Sequence, residues 1–354
     1  MPANGPSAPP FNHQVCYFEP DDSIGSGVAM KRRQFLQALG LTAMLPSVAL
    51  AQQPKKIGFL SVSSPDVHAP FVAAFNEGLK VTGFVEGKNL AIEYCWAEGQ
   101  FDRLPALAAD LARDRVDVIA AMSGDVSIRA AIRASSTIPI VFITGSDPVQ
   151  TGLVASLGRP GGNATGFSMI ANELMAKRLE LLSELVPNVG TIGLLVNPNY
   201  HSATAGTIPL VQKAASAKGI QLHVLKAAEE GEFEPAFVSL ARFKGDALIV
   251  GTDPFFSSRR ERIVALASRY SIPAIYEWEE FVTAGGLISY GASLPFLYRE
   301  AGIYVGQILK GAKPADLPIQ QPTNFELVIN IKAARALGLT VPPSLLTAAH
   351  KVIE

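Results

Sequence analysis

The sequence predicts an α/β protein of two doubly wound parallel-sheet lobes, and three observations carry that prediction. From Lys55 onward, short apolar runs alternate with amphipathic stretches of about ten to fifteen residues, the rhythm of βαβ units. The rhythm breaks near residues 160–170 and then restarts. A chain of 354 residues, 48% of them hydrophobic, is long enough for two ordinary domains of about 100–200 residues each.

Taken in order, "KIGFLSV" (56–62) opens as a strand and 70–82 reads as a helix closed by Gly83. "NLAIEYCWA" (89–97) alternates as a strand, and "RLPALAADLARD" (103–114) has helical spacing. "VDVIAAM" (116–122), a helix over 125–134 and "IPIVFIT" (138–144) complete the first half. The second half begins with the helix 172–186, which has apolar residues three and four apart. Strands at 191–196, 220–225, 246–251 and 272–276 follow, with helices over 203–217, 232–243 and 257–269 between them. The two halves repeat architecture, not sequence.

Charge and leader bound the function. A net charge of −1 supplies no basic face for nucleic acid, and two cysteines, Cys16 and Cys95, supply no disulfide framework. "KRRQFL" (31–36) followed by "ALGLTAMLPSVALA" has the basic start, short apolar run and small-x-small end of an export signal over residues 30–51. Pro46 interrupts that run, which is shorter than the ~20 residues of a membrane span. Arg32-Arg33 followed by Phe35-Leu36 resembles a twin-arginine signal. Residues 1–29 then read as an upstream extension ahead of Met30, and the mature protein is expected to start near Gln52 and work in the periplasm.

Four strand ends share one chemistry: Ser64-Pro65, Asp147-Pro148, Asn197-Pro198 and Asp253-Pro254. Ser, Asn and Asp accept from the free N–H groups of a first helical turn, and proline fits its first position. N-capping accounts for each pair singly. In a parallel sheet, however, all such turns lie at the carboxyl edge, where ligands bind. Two turns from each half, facing across a cleft, would offer helix N-termini to an anionic group.

Catalytic constellations are missing from the sequence. It contains no H-E-x-x-H, no G-x-S-x-G and no His or Cys cluster at metal spacing. No cofactor or metal is expected. His68 and His201 follow strand ends and could reach a cleft, although surface or capping roles fit them better. Phe255, Phe256, Tyr276, Trp278 and Tyr290 fall at or just beyond strand ends, as aromatics lining a cleft or filling a core would.

"GGNATGFS" (161–168) has the glycine spacing of a phosphate loop, but Phe167 stands in place of the lysine that reaches phosphates. Asn163-Ala164-Thr165 is a sequon, expected to carry no glycan in an exported bacterial protein. The remaining reading is mobility: Gly161, Gly162 and Gly166, with Gly285 and Gly286, are expected to serve a hinge.

"IPIVFITGSDPVQTGLVASLGRPGGNATGFS" (138–168), "YEWEEFVTAGGLISYG" (276–291), "QPTNFELVINIKAARALGL" (321–339) and "EYCWAEGQFDRLPALAADL" (93–111) resemble the substrate-binding family of ABC transporters, of the type that binds tryptophan or other aromatic amino acids. Cys95 departs from that family's usual basic residue, and strand alternation turns it away from Tyr94 and Trp96. The resemblance implies a type I periplasmic binding protein: lobe 1 from 54–166 plus 292–322, lobe 2 from 167–291 plus 323–354. Crossings are expected near 166–171, 285–292 and 320–328, with the helix 294–310 returning to lobe 1. It also implies a monomer that closes on a small ligand and delivers it to a membrane permease driven by a cytoplasmic ATPase, with no nucleic-acid partner.

On that basis the ligand-binding candidates in lobe 1 are Ser63, Ser64, Ser123, Gly124, Asp125, Thr144, Asp147 and Ser168. From lobe 2 come Asn197, Asp253, Phe255, Tyr276 and Glu277, with Tyr290 at the hinge. For an α-amino acid, Asp147 or Asp253 would pair the ammonium, while N–H groups and hydroxyls would hold the carboxylate. Arg129 is the one arginine expected near the cleft loops. An exported hydrolase using cleft carboxylates is an alternative. A ligand-sensing module of a receptor is another, although no helix-turn-helix is legible before Lys55.

Overall fold

The computed structural model describes residues 54–354 together with the two-residue strand Cys16–Tyr17. The export signal read over 30–51 and the remainder of the upstream extension lie outside the described residues, as do the side chains of residues 201–203.

The first lobe is built from β1 (Cys16–Tyr17), β2 (Lys55–Ser61), α1 (Pro65–Val81), β3 (Leu90–Trp96), α2 (Leu104–Arg113), β4 (Val118–Ala121), α3 (Asp125–Ala134), β5 (Ile140–Thr144) and β6 (Ala164–Ser168). Its sheet runs β1-β3-β2-β4-β5-β6, parallel except for the antiparallel pairing of β1 with β3. Helix α1 starts at Pro65, five residues ahead of the predicted start at 70. Ser64 is extended (φ −116°, ψ 158°) and proline occupies the first turn. Cys95 packs with Leu60 and Leu104 on one sheet face, and Trp96 packs with Phe59 on the other, as alternation requires.

The second lobe comprises α4 (Met175–Leu185), β7 (Thr191–Val196), α5 (His201–Ala217), β8 (Gln221–Lys226), α6 (Phe233–Arg242), β9 (Ala247–Val250), α7 (Pro254–Ser258), α8 (Arg260–Arg269), β10 (Ala274–Tyr276), α9 (Glu279–Thr283) and β11 (Ile288–Gly291). After α10 (Leu294–Leu309) the chain returns to this lobe through β12 (Glu326–Asn330), α11 (Ile331–Ala336), α12 (Pro343–Ala348) and β13 (Lys351–Ile353). Sheet order is β13-β12-β11-β10-β9-β7-β8, and β12 is antiparallel to β11. Numbered within each lobe, both parallel sheets have the doubly wound order 2-1-3-4-5. Helix α10 belongs spatially to the first lobe, where it packs along α1 and covers β5.

Three segments cross between lobes: the stretch after β6, Ala292–Ser293 after β11, and the chain leading into β12. The first and third lie side by side, because the Ser168 N–H donates to the Gln320 carbonyl at 2.9 Å and the Gln320 N–H donates to the Gly166 carbonyl at 3.0 Å. Arg178 of α4 is fully buried and clamps the other pairing. Its Nε donates to the Tyr290 carbonyl at 2.8 Å and its Nη1 to the Ala171 carbonyl at 3.4 Å.

Of the expected hinge glycines, Gly166 touches a crossing through its carbonyl and the others sit elsewhere. Gly166 is the middle residue of β6, with φ +152°. A Cβ there would lie 2.0 Å from the Phe142 carbonyl oxygen, so glycine is required by the close approach of β5. Gly161 and Gly162 belong to the loop before β6, and Gly285 and Gly286 form the turn between α9 and β11, at the far end of that strand from the crossing. The sequon is structural: Asn163 Nδ2 donates to the carbonyls of Ser135 (3.0 Å) and Ile138 (2.7 Å).

Candidate functional site

The carboxyl ends of β2, β4 and β5 face those of β7, β9 and β10, and a cavity lies between them with about 690 Å³ of space not filled by atoms, part of it open to solvent. Such an opposition follows from doubly wound lobes that share one strand order. Aromatic side chains from both lobes form its walls: Phe71 and Tyr298 on one side, Tyr200, Trp278 and Phe281 on the other. Ile143, Met169 and Leu294 complete the apolar lining. Phe71 stacks on Tyr298 with ring centroids 5.2 Å apart, which fixes a flat apolar surface.

Lobe 1 presents most of its polar groups already bonded to one another. His68 Nε2 is 2.9 Å from the Tyr298 hydroxyl and 3.1 Å from Ser123 Oγ, and Ser123 Oγ is 2.8 Å from Ser61 Oγ. Burial, reinforced by the Arg260 charge, pulls the imidazole down to about 3, so His68 is neutral at ordinary pH. Its Nδ1 is buried and accepts or donates no hydrogen bond. Beneath this layer the Asp125 carboxylate accepts from Ser146 Oγ at 2.7 and 2.8 Å and from the Thr144 hydroxyl. Ser168 Oγ donates to the Ser146 carbonyl at 3.0 Å.

Ser123 and Gly124 both have positive φ, +73° and +90°. That turn delivers the first N–H of α3 across the cleft, where Asp125 N donates to the Tyr200 hydroxyl oxygen at 3.2 Å. A Cβ on Gly124 would stand 2.3 Å from that hydroxyl, so the contact between lobes requires glycine.

Lobe 2 presents charge without partners. Asp253 caps α7, its Oδ1 accepting from Phe255 N (2.6 Å) and Phe256 N (3.1 Å), while its buried Oδ2 has no partner. Burial pushes this carboxyl up to about 7, against those two N–H donors and the neighbouring Asn197 side chain. Arg260, at the start of α8, gives Nη1 to the Ser257 carbonyl at 3.2 Å, and no carboxylate among the described residues lies within ion-pair distance of it. Glu280 is half-buried, and burial raises its carboxyl above the usual range.

Of the residues singled out in the sequence, Ser123, Gly124 and Asp253 line the cavity. Asp125, Thr144 and Ser168 support it from beneath, and Ser63 is buried behind it. Ser64 begins α1 without a side-chain cap bond. Asp147 is turned away from the cavity: its carboxylate accepts from Val149 N and Gln150 N, which makes it a turn residue. Arg129 lies in a separate outer groove and donates to the Thr151 carbonyl at 2.6 Å, so Arg260 is the cleft arginine instead. Asn197 and Phe255 border a neighbouring recess beside Phe101. Tyr276 stacks on Phe281 inside lobe 2, and Tyr290 packs on Phe325 and offers its carbonyl to Arg178.

Sequence reasoning missed Phe71, Tyr200, Arg260, Glu280, Phe281 and Tyr298, and favoured a surface or capping role for His68 over a place in the cleft. A signal was present. His68 and Phe71 stand four and seven residues beyond Ser64, and Ser257 and Arg260 stand at the same offsets beyond Asp253. Those offsets put His68 and Phe71 on one face of α1, and Ser257 in α7 beside Arg260 at the start of α8. Among the described residues, no three His, Cys, Asp or Glu side chains are placed to hold a metal ion, and no helix is long and apolar enough to cross a membrane.

Comparison with known proteins agrees with this geometry. A tyrosine-binding protein of Clostridioides difficile (strain R20291) is 29% identical over 265 residues, 75% of each chain. The structure of an ABC domain in complex with L-Trp from Streptococcus pneumonia superposes with a TM-score of 0.77 at 26% identity, covering 85% of this chain and all of that one. The ligand-free, open structure of a substrate-binding protein with adhesive properties from Clostridium difficile gives 0.61 at 27% identity, over 84% and 99% of the two chains. At 26% and 27% identity, this chain superposes more closely on the tryptophan complex than on the open form. The family profile for ABC transporter substrate binding proteins matches residues 56–353. The chain belongs to the ABC transporter substrate-binding protein family.

Proposed function

We propose that this protein is the extracytoplasmic receptor of an ABC importer, which captures an aromatic amino acid between its lobes and hands it to a membrane permease. The observation that carries the reading is the pairing, in one aromatic-walled cavity, of an unpartnered carboxylate oxygen on Asp253 with an unneutralised guanidinium on Arg260. A zwitterion complements both. The ligand ammonium neutralises Asp253, its carboxylate takes Arg260, and its ring lies between Phe71–Tyr298 and Trp278–Phe281. Closure follows from the same contacts, because residues of both lobes must meet the ligand together. The relatives named for tyrosine and bound to tryptophan support the aromatic choice.

Protein expressed from Gln52 and titrated with tryptophan, tyrosine, phenylalanine and aliphatic amino acids by calorimetry tests the proposal. Expected is one-to-one binding of an aromatic amino acid with no chemical change in it, and a stabilisation of about 3 kcal/mol at a ligand excess of ~100 Kd. Preference for aliphatic amino acids, or turnover of the bound molecule, would refute it.

A further inference from the structure

Helix α3 has no cap of its own. Its N-cap residue is Gly124, which has no side chain to accept from the first turn, and no side-chain bond caps the helix there. The first N–H groups of a helix find no acceptor within it. For Asp125 N the acceptor comes from the facing lobe: the Tyr200 hydroxyl oxygen, 3.2 Å away. Away from the three crossings, this is the one hydrogen bond that joins the lobes across the cleft among the described residues.

Local chemistry in both lobes prepares the contact. After β7, Asn197 makes a turn in which its Oδ1 accepts from Asn199 N at 2.9 Å and its carbonyl from Tyr200 N at 3.1 Å. The Tyr200 carbonyl then accepts from Thr204 N at 3.0 Å, which fixes the tyrosine at the start of α5. Its side chain is buried, with its ring 6.3 Å from that of Phe101 in lobe 1. On the lobe 1 side, a Cβ at residue 124 would stand 2.3 Å from the hydroxyl oxygen and 3.2 Å from Cζ. Glycine there withholds a cap from α3 and admits one from across the cleft.

We propose that Tyr200 is a positioning residue for capture: a helix cap supplied in trans, formed as the lobes come together, that sets how long the ligand is held. This rests on the reading of the protein as a receptor that closes on an amino acid, and not on that amino acid being aromatic. One such hydrogen bond is worth about a factor of five, too little to draw the lobes together unaided. The bond therefore forms after the ligand has arrived. Its loss shortens the residence of the ligand and leaves the encounter nearly as fast.

Two measurements test the latch, each with whichever of tryptophan, tyrosine, phenylalanine and leucine binds most tightly. Stopped-flow rates come first. Tyr200→Phe keeps the ring and removes the hydroxyl, so dissociation should quicken about fivefold while association changes by less than about twofold. An unchanged dissociation rate, or a loss confined to association, overturns the latch. The second is a double-mutant cycle read by calorimetry. Gly124→Ala should weaken binding about 30-fold in the otherwise unaltered protein and about fivefold or less beside Tyr200→Phe, because the obstructed oxygen is gone. Strain at φ +90° burdens open and closed forms alike and drops out of that comparison. Equal penalties in the two backgrounds overturn the latch, since a tyrosine that only lines the cavity would give them. Binding of leucine alone, with both Tyr200 effects present, overturns the aromatic reading and supports the latch. Binding of none of the four overturns both.

Discussion

The two lobes share a strand order and meet at the same edge, yet they prepare their walls differently. Lobe 1 offers groups that already satisfy one another: His68 with Tyr298 and Ser123, Asp125 with Thr144 and Ser146. Lobe 2 offers Asp253 Oδ2 and Arg260 with their charges uncompensated. One wall is a nearly finished platform, in which His68 Nδ1 still lacks a partner, and the other an open valence. The difference divides the work of recognition, since a satisfied network holds shape while an unsatisfied buried charge gains most from the ligand that neutralises it.

That contrast can be broken at its strongest point first. Asp253→Asn keeps an acceptor for the cap of α7 but removes the charge, and affinity for an amino acid should fall at least about 100-fold, the scale of a truncated buried charge pair. Calorimetry reads it, and a loss below about tenfold would place the ammonium elsewhere. Gly124→Ala comes next. Its Cβ would meet the Tyr200 hydroxyl on closure and its φ of +90° disfavours a side chain, so affinity should drop about 30-fold while the aliphatic and aromatic cores of each lobe stay intact by circular dichroism.

Acidity gives a third, graded test. Asp253 must be ionised to hold an ammonium, and its carboxyl lies at about 7 before ligand binds. Affinity should therefore weaken by up to about tenfold per unit as pH falls below 7, and Asp253→Asn should flatten the profile. Stability of the unliganded protein runs the other way. The folded state keeps this proton after the unfolded chain has lost it, so stability declines as pH rises from about 4 toward 7, with Glu277 acting in the same direction. The smallest effect belongs to lobe 1. Tyr298→Phe removes one of two hydroxyls at His68 Nε2 and leaves Ser123, so thermal denaturation should show about 1 kcal/mol lost and affinity should change about threefold.

Much of this was legible in the residues, because local chemistry writes strand ends plainly. Asp253-Pro254 announces a cap, and Asp253 caps α7 at the edge of the cavity. Asp147-Pro148 carries an equally clear turn signal, and there the whole carboxylate is absorbed by the turn. Capping chemistry alone does not say which oxygen is left over. His68 and Phe71 were obscured by the register of α1, which starts at Pro65; a start at Pro70 leaves His68 outside the helix and Phe71 in its first turn. Tyr298 arrives from a helix some 230 residues later in the chain, a neighbour set by topology and by no local pattern. The glycines of residues 161–166 mislead for a related reason. Conformational freedom and close backbone approach call for the same residue, and only the position of Phe142 on the adjacent strand separates them.

The buried Arg178 has a kinematic consequence. One guanidinium grips the carbonyls of Ala171 and Tyr290, which lie on or beside two different crossing segments, and the third segment is laced to the first through Gln320. Crossings tied in this way act as a bearing with a fixed axle. If the lobes close on a ligand as proposed, this bearing restricts that closure to rotation through a single angle, with little sliding or twisting. Capture costs the loss of freedom in one soft coordinate, and release needs only that coordinate to be driven back.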